Sequence, residues 1–294
     1  MAYASGTANS MADLASAILA VCTANGWSQD GSVLYRGNAF VQVTSDANSV
    51  IFLAGTGQSA GVLSGPAANV RMASIASLQV WTFPVAYEIH IFTAPDEVYV
   101  VVNHDTVKFQ HAAWGISTVP DIGGTSMWIS APCGNVTTGG SGFQGFGGTL
   151  YDFGGSNAIG FALFGQRTGA VSLRSSFINC TLDGTTGWKH NPYGFNGLYP
   201  LLDVLPNNWN GETILLPMPV IKAWASGAKV SLVAMPANLR VCRITNHDPL
   251  DVISIASEDW KLYPWRYKDA VNPNGGANGD SSGTWGCAIR YTGP

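Results

Sequence analysis

Near the start of the chain, apolar side chains recur at the spacing of an amphipathic helix: Met11, Leu14, Ile18, Val21 and Cys22. Ser10 stands where an N-cap is needed, because its hydroxyl can accept a hydrogen bond from a backbone N–H of the first turn. Asn25 and Gly26 supply a typical left-handed stop. The pattern therefore predicts a helix over residues 11–24.

After this helix the pattern changes to short runs that favour strands, at Val33–Tyr35, Ala39–Thr44 and Ser49–Ala54. The segment TFPVAYEIHIFTAPDEVYVVVNHD then holds two β-prone runs around a Pro95-Asp96 turn, which predicts a hairpin. The following segment, TVKFQHAAWG, is predicted to form a short helix that ends at Gly115. Residues 1–119 are accordingly expected to be an α+β unit, with a helix packed on an antiparallel sheet.

Residues 120–165 are rich in glycine and aromatic residues, as in the run GNVTTGGSGFQGFGGTLYDFGGSN. Glycine permits tight turns and aromatic rings can anchor to a neighbouring surface, so we expect an ordered loop or an inter-subunit arm. In residues 166–294, short strand-like runs return between Pro, Gly and Asn turns, which is typical of a β-sandwich or an open barrel. The predicted fold class is mainly β, of the α+β type, with a C-terminal β-sandwich-like domain.

The composition indicates a surface that is poor in charge. Hydrophobic residues make up 46% of the 294 residues, enough for a packed core, and charged residues only 11%, against about 25% in an average soluble domain. The formal net charge is −4 and Lys and Arg form no run, which argues against nucleic-acid binding. We expect partner chains to cover much of this surface; the alternative is a monomer solvated by hydroxyl and amide groups.

The cysteines and the apolar runs bear on the compartment. The five cysteines are far apart and form no C-x-x-C pair, which predicts buried free thiols: Cys22, Cys133, Cys180, Cys242 and Cys287. No Lys or Arg precedes the first apolar run, and no stretch of 18 apolar residues occurs. The sequence therefore predicts neither a secretion signal nor a membrane span, and we expect synthesis in a cytosol.

One short motif matches a hydrolase signature. GQSAG at Gly57–Gly61 has the Gly-x-Ser-x-Gly spacing of a nucleophile elbow, in which a strand-to-helix turn exposes the serine hydroxyl. Ser64-Gly65-Pro66 follows where that helix would have to run, so we interpret the motif as a turn and do not assign Ser59 as a nucleophile. No other catalytic pattern rises above background, and no enzymatic activity is predicted.

The hairpin contains a candidate set of metal ligands. With Thr93 opposite Glu97, the side chains of Glu88, His90 and His104 would share one face of the sheet. Two histidines and one carboxylate are a credible set of metal ligands. A register shifted by one residue would move His104 to the other face, and we favour the alternative of an ordinary polar strand with a Glu–His contact. No metal or other cofactor is predicted.

Aromatic residues cluster in the last third of the chain. When exposed, such rings form protein interfaces or sugar-stacking platforms, and when buried they form the core of a β domain. The candidates for interface or glycan contact are Trp188, Tyr193, Phe195, Tyr199, Trp265, Tyr267 and Trp285. In the strand-like segment GTWGCAIRY near the end of the chain, Trp285 and Ile289 are expected to point inward, whereas Arg290 and Tyr291 are expected to contact a neighbouring subunit.

The order of four segments resembles a family of tailed-bacteriophage virion proteins from the tail tip, baseplate or tail-fibre region. The segments are AYASGTANSMADL followed by NGW, the hairpin TFPVAYEIHIFTAPDEVYVVVNHD, RITNHDPLDVISIASEDWKLYPW and SSGTWGCAIRYTGP. They span most of the chain, and the glycine-rich middle matches least. The hairpin and the C-terminal segment are the more specific of the four.

The resemblance implies a structural role in the virion tail, without enzymatic activity and without catalytic residues to carry over. It implies association with itself and with other tail or baseplate proteins, and tail architecture in general suggests a trimer. The alternative is a module that binds a host-surface glycan or receptor. Position along the tail stays open.

Overall fold

The computed structural model describes residues 1–74, 80–106, 108–134, 163–164, 175–182, 184–190, 192–194, 214–224, 229–265, 268 and 285–293. In this part of the chain the fold is mainly β and of the α+β class, as predicted, with one α-helix and several antiparallel sheets. Among the described residues, no helix has the length and apolar character needed to span a bilayer.

The N-terminal layer consists of the predicted helix and a five-stranded sheet. Strand β1 (Ala2–Ala8) precedes helix α1 (Met11–Ala24), whose N-cap Ser10 accepts a hydrogen bond from the Asp13 N–H at 3.0 Å. Gly26, with a φ of 89°, follows the helix end in the left-handed conformation. The sheet contains, in spatial order, β2 (Ser28–Asp30), β3 (Val33–Arg36), β4 (Ala39–Ser45), β5 (Ser49–Gly55) and β8 (Val70–Ala73).

The GQSAG motif lies in a separate two-stranded hairpin. Strand β6 (Gly57–Ser59) pairs with β7 (Val62–Ser64) across Ala60 and Gly61, both of which have positive φ. Two residues of positive φ are what a tight hairpin turn of the I′ type requires. Ser59 therefore ends a strand that turns into another strand, and the interpretation of the motif as a turn is confirmed.

A seven-stranded antiparallel sheet forms the centre of the molecule. It begins with β1 and continues, in spatial order, with β9 (Val85–Thr93), β10 (Asp96–Asp105), β11 (Lys108–Ile116), β12 (Met127–Ser130), β13 (Ser176–Cys180) and β14 (Gly187–His190). The predicted hairpin is confirmed as β9 and β10. Because β13 and β14 belong to this sheet, it extends past the boundary predicted at residues 165 and 166.

The short helix expected over TVKFQHAAWG is wrong, because the segment from Lys108 onward forms strand β11. Phe109 and Ala113 pack in the core on one face of the central sheet, and Ala112 and Trp114 pack in the core on the other. Since both faces are covered, nearly every residue of β11 is buried. The polar and apolar alternation that marks a half-exposed strand is therefore missing from the sequence.

Two further sheets cover the face of the central sheet on which Phe109 and Ala113 lie, which we call the second face. One contains β15 (Tyr193–Gly194), β17 (Val220–Ala223) and β18 (Val230–Ala234). The other is formed, in spatial order, by β16 (Leu216–Pro217), β19 (Leu239–Arg243), β22 (Trp285–Tyr291), β21 (Glu258–Pro264) and β20 (Val252–Ile255). The predicted strand near the end of the chain is thus β22, and it lies inside a sheet with a partner on each side.

The interior is apolar on both faces of the central sheet. One core lies between this sheet, helix α1 and the N-terminal sheet, and the second lies between the central sheet and the C-terminal sheets. All five cysteines are free and buried, which confirms their prediction as small hydrophobic side chains.

Candidate functional site

Strands from the beginning, the middle and the end of the chain meet on the second face of the central sheet. Their polar and aromatic side chains form what we call the terminal cluster: Tyr3, Glu88, His90, Lys261, Tyr263 and Tyr291. Residues two apart on a strand share a face, which brings Glu88 and His90 together on β9 and Lys261 and Tyr263 together on β21. Tyr3 lies directly opposite His90 in the pairing of β1 with β9.

The Glu88 carboxylate is the centre of the terminal cluster. Its Oε2 lies 2.7 Å from Nζ of Lys261 and accepts a hydrogen bond from the Tyr263 hydroxyl at 2.7 Å. The Tyr263 hydroxyl oxygen also lies 2.8 Å from Nε2 of His90, and the Lys261 ammonium donates to the Tyr3 hydroxyl at 3.3 Å. The side chains of Lys261 and Glu88 are only 11% and 14% exposed. Loss of either charge would therefore leave the other without a counter-charge in a site that is largely shielded from water.

Aromatic rings enclose the Lys261 ammonium. Its Nζ lies 5.3 Å from the ring centre of Tyr3 and 5.1 Å from that of Tyr291, within the range of a cation–π interaction. The two tyrosine rings pack edge to face with centroids 5.0 Å apart. Tyr3 and Tyr291 thus connect β1 directly to β22.

Burial determines the protonation states in the terminal cluster. Burial, together with the positive charge of Lys261, lowers the pKa of His90 to about 3, so the imidazole is neutral at neutral pH. Burial and the nearby Glu88 charge raise the pKa of Tyr263 well above its ordinary value, and burial raises the pKa of Tyr3 to about 12. The ionic part of the cluster is therefore the pair of Glu88 and Lys261.

The arrangement is suited to holding strands together. The side chains of His90 and Tyr263 are almost fully buried, so a substrate cannot reach the imidazole or the hydroxyl. In the part of the chain that the structure describes, no group of three or more His, Cys, Asp or Glu side chains could hold a metal ion. The chemistry of the site is one ion pair, its hydrogen bonds and its ring contacts.

A second buried carboxylate, Glu97, joins the central sheet to the turn before β19. Its Oε1 accepts from the Ala237 N–H at 2.7 Å, and its Oε2 accepts from the Asn238 N–H at 3.0 Å and from Asn238 Nδ2 at 2.9 Å. The Tyr99 hydroxyl donates to Oε2 at 2.9 Å. Burial raises the pKa of Glu97 in spite of these hydrogen bonds. Glu97 thus attaches the C-terminal sheets to the central sheet at a point separate from the terminal cluster.

The metal set considered for the hairpin does not form. Asp96 pairs with Thr93, so the register differs by one residue from the one that places Thr93 opposite Glu97. Glu88 and His90 remain on one face, but His104 lies on the other, where its ring stacks on Trp81 with centroids 5.4 Å apart. Glu88 lies opposite Val101 in this register, and its partners are Lys261 and Tyr263.

The aromatic contact candidates are placed differently from one another. Trp265 is fully buried with its ring 5.4 Å from that of His111, so it belongs to the core, which corrects its prediction as a contact residue. Trp188 is partly buried, and its Nε1 donates to the Gly65 carbonyl at 2.7 Å, which connects β14 to the N-terminal layer. These two indoles serve contacts within the chain.

Two of the remaining aromatic candidates lie in strands of the C-terminal sheets. Tyr193 lies in β15 and Trp285 in β22. Phe195, Tyr199 and Tyr267 lie outside the described residues, as do residues 135–162 of the predicted arm. The role of these aromatic residues as contacts stays a prediction.

Arg290 and Tyr291 point to opposite faces of β22. Tyr291 belongs to the terminal cluster, whereas Nη2 of Arg290 lies 2.8 Å from Oε1 of Glu258 in a half-exposed ion pair. Both side chains keep part of their surface in contact with solvent. Their contact with a neighbouring subunit stays a prediction, with internal partners now known for both.

The sequence interpretation missed Tyr3, Lys261, Tyr263 and Glu97 as functional residues. One sequence feature pointed to the ion pair, since Glu88 lies within the strand run VAYEIHIF and Lys261 within WKLYP. A charged residue inside an apolar strand is seldom buried unless it is paired. The partners of Glu88 could not be predicted, because Lys261 and Tyr263 lie on a distant strand, Tyr263 at 175 positions from Glu88.

Comparisons with known proteins do not assign a family. No protein-family model matches the chain, and no curated protein matches it. The function therefore has to follow from the geometry of this chain and from the order of its segments.

Proposed function

We propose that the chain is a structural subunit of a bacteriophage tail, in the baseplate or fibre-attachment region, that assembles with itself and with other tail proteins for host attachment. The order of the four resembling segments supports the tail location. The sheet edges of the molecule support assembly. In this proposal the chain works through its surfaces and performs no catalytic step.

The observation that carries assembly is the position of the exposed aliphatic side chains. Val230 and Leu232 of β18 are 56% and 41% exposed, and Val252 and Ile255 of β20 are 46% and 39% exposed. In the part of the chain that the structure describes, β18 and β20 are each the last strand of a sheet. Soluble monomers usually protect such edges with Lys, Pro or a bulge. Strand β20 contains neither Lys nor Pro, whereas the pairing of β17 with β18 has an irregularity between Val220 and Ile221.

The interior supports the same proposal. The terminal cluster and Glu97 hold the C-terminal sheets on the central sheet through buried polar contacts. These contacts form in only one relative placement of the sheets. A subunit of a permanent assembly benefits from such a rigid body, because little conformational freedom is lost when neighbouring copies bind. Low surface charge also suits interfaces that remain covered.

The glycan-binding alternative requires aromatic rings that are open to solvent. Among the described residues, the large hydrophobic side chains that are exposed are aliphatic or methionine, such as Val62, Val230 and Met235. Trp265 and Trp260, from the aromatic-rich segments, are buried. The described surface therefore favours assembly over glycan stacking.

Immunogold electron microscopy tests the tail location. Antibodies against the purified chain should label the tails of the phage particles whose genome encodes it, and pre-adsorption with the chain should remove the label. Purified particles that carry neither label nor peptides of the chain in mass spectrometry would overturn the location. Light scattering should give a multiple of 30.9 kDa, and a constant mass of 30.9 kDa at all concentrations would overturn self-association.

A further inference from the structure

Two of the strands that end a sheet among the described residues, β18 and β20, differ in the charge around them. Exposed Lys229 directly precedes β18. Exposed Asp248 and Asp251 precede β20, and Glu258 and exposed Asp259 follow it across a two-residue turn. The β18 edge is therefore apolar with a basic end. The β20 edge is apolar with Asp248 and Asp251 at one end and Asp259 at the other, where Glu258 is already paired with Arg290.

The outer backbone groups of β20 are directed away from its own sheet. The Leu262 N–H donates to the Asp251 carbonyl at 2.8 Å, so this carbonyl points toward β21. Along a strand, the backbone polar groups of successive residues point to alternate sides. The N–H and C=O groups of Val252 and Ser254 consequently point away from β21.

The same alternation applies to β18. The Trp224 N–H donates to the Lys229 carbonyl at 3.0 Å, so the next outward-directed residues are Val230 and Leu232. Each edge thus offers two residues with outward N–H and C=O groups, and exposed apolar side chains accompany them. This combination is what strand addition requires.

We propose that β18 of one copy of the chain pairs with β20 of a second copy, so that copies join head to tail through a continuous β-sheet. The proposal rests on the proposed function insofar as it names the contact by which copies assemble. Parallel pairing brings Lys229 to the side of Asp248 and Asp251, and antiparallel pairing brings it to the side of Glu258 and Asp259. A β20–β20 contact would instead bring carboxylates together at both ends.

The head-to-tail contact has a consequence for symmetry. Because β18 and β20 are different surfaces, each copy keeps one unused edge after the first contact forms. Heterologous contacts of this kind produce a ring if the rotation between copies closes, and an open row if it does not. A closed ring pairs β18 and β20 of every copy, which would protect both apolar strands from aggregation.

A mixing experiment with two edge variants tests the proposal. In the first variant, Val230→Glu and Leu232→Glu place negative charge on β18; in the second, Val252→Lys and Ile255→Lys place positive charge on β20. Each variant alone should fall to a mass of 30.9 kDa in light scattering, because its altered edge repels the intact one. Mixed in equal amounts, the two should form complexes of both, since the first retains β20 and the second retains β18.

A surface variant provides the matched control. Val62→Lys changes a side chain that is 67% exposed on β7, away from both edges, and should keep the wild-type mass. Circular dichroism of every variant should show the wild-type β content, because all substituted side chains are exposed.

The outcomes separate this proposal from the proposed function. Variants that keep the wild-type mass, variants that both become monomers but do not combine, or a monomeric wild type would each overturn the pairing of β18 with β20. Immunogold labelling of tails does not depend on which edges pair. Labelled tails with unaffected edge variants would leave the tail location standing and remove only the proposed contact.

Discussion

The two faces of the central sheet are covered in different ways. Toward helix α1 the contacts are mainly apolar, and Trp114 packs with its ring 6.1 Å from Trp27 and 5.8 Å from Phe52. Toward the C-terminal sheets an apolar core is joined by buried polar contacts, centred on the ion pair of Glu88 and Lys261. One sheet is thus stabilised by two kinds of contact on opposite sides.

The difference follows from what each face has to position. Apolar burial is non-directional, so it stabilises packing without selecting one exact placement. A buried polar group needs a partner at a defined distance, so it penalises every other placement. The N-terminal layer is close in sequence to the hairpin β9–β10, whereas β21 and β22 arrive from more than 150 residues away. Gln110 makes two buried hydrogen bonds to Ala73 on the N-terminal side. The nearly buried ion pair, in contrast, lies where the chain has the larger number of alternatives to exclude.

The largest effect is expected on the apolar face. Trp114→Ala should lower the free energy of unfolding by about 4 kcal/mol, because it removes a fully buried indole and leaves a cavity. Urea unfolding followed by circular dichroism measures this change. Trp114→Phe is the control and should cost much less, since the ring contacts largely remain and the indole N–H has no hydrogen-bond partner among the described residues. Equal costs for both variants would contradict the packing argument.

On the polar face, Lys261→Met should lower the free energy of unfolding by about 3 kcal/mol, because it leaves the Glu88 carboxylate buried without its cation. The double variant Lys261→Met with Glu88→Met should recover part of this loss, since no unpaired charge remains. The same urea titration measures both. A double variant less stable than the single one would show that the ion pair is not the reason for the cost.

A more exposed ion pair on the same sheet provides a control for this prediction. Arg290 and Glu258 lie on the same C-terminal sheet, but their side chains are 37% and 38% exposed. Arg290→Met should therefore cost less than about 1 kcal/mol, because water screens the pair. Similar costs for Lys261→Met and Arg290→Met would remove burial as the explanation.

Acid should lower the free energy of unfolding through His90, which lies on the polar face of the central sheet. The unfolded chain binds a proton at this histidine below pH 6.5, whereas the buried imidazole, whose pKa is lowered to about 3, does not. Its contribution to stability should therefore fall by about 1.4 kcal/mol per pH unit between pH 6.5 and about 3. His90→Gln should remove this part of the slope in urea titrations between pH 6.5 and 4.5. An unchanged slope would contradict the assignment to His90.

A small effect is expected at the helix start. Ser10→Ala should lower the free energy of unfolding by about 1 kcal/mol, because the Asp13 N–H loses its hydrogen-bond acceptor. The pH slope should stay that of the wild type, since the helix lies on the apolar face. Ser16→Ala, inside the same helix, is the control and should be close to neutral. A changed pH slope in Ser10→Ala would show that the two faces are coupled.

The predictions from sequence succeeded where a few neighbouring residues carry the cause. Helix α1 follows from its apolar spacing and from Ser10 and Gly26, and the hairpin β9–β10 follows from two β-prone runs around a turn. They failed where the register or the burial of a strand depends on its neighbours in the fold. The register of the hairpin differs by one residue because only Ala94 and Pro95 lie in its loop, and this places His104 on the face opposite Glu88.

What the sequence by itself determined is the class of the fold, the single described helix, several of the strands, including the hairpin β9–β10, and a chain poor in charge. What only the tertiary structure decided is that β11 is a strand buried on both faces, that Trp265 belongs to the core, and that Glu88 meets Lys261 and Tyr263. The physical reason is range. Helix caps and turns act over three or four residues, whereas burial and ion pairing depend on strands that come together only when the whole chain folds.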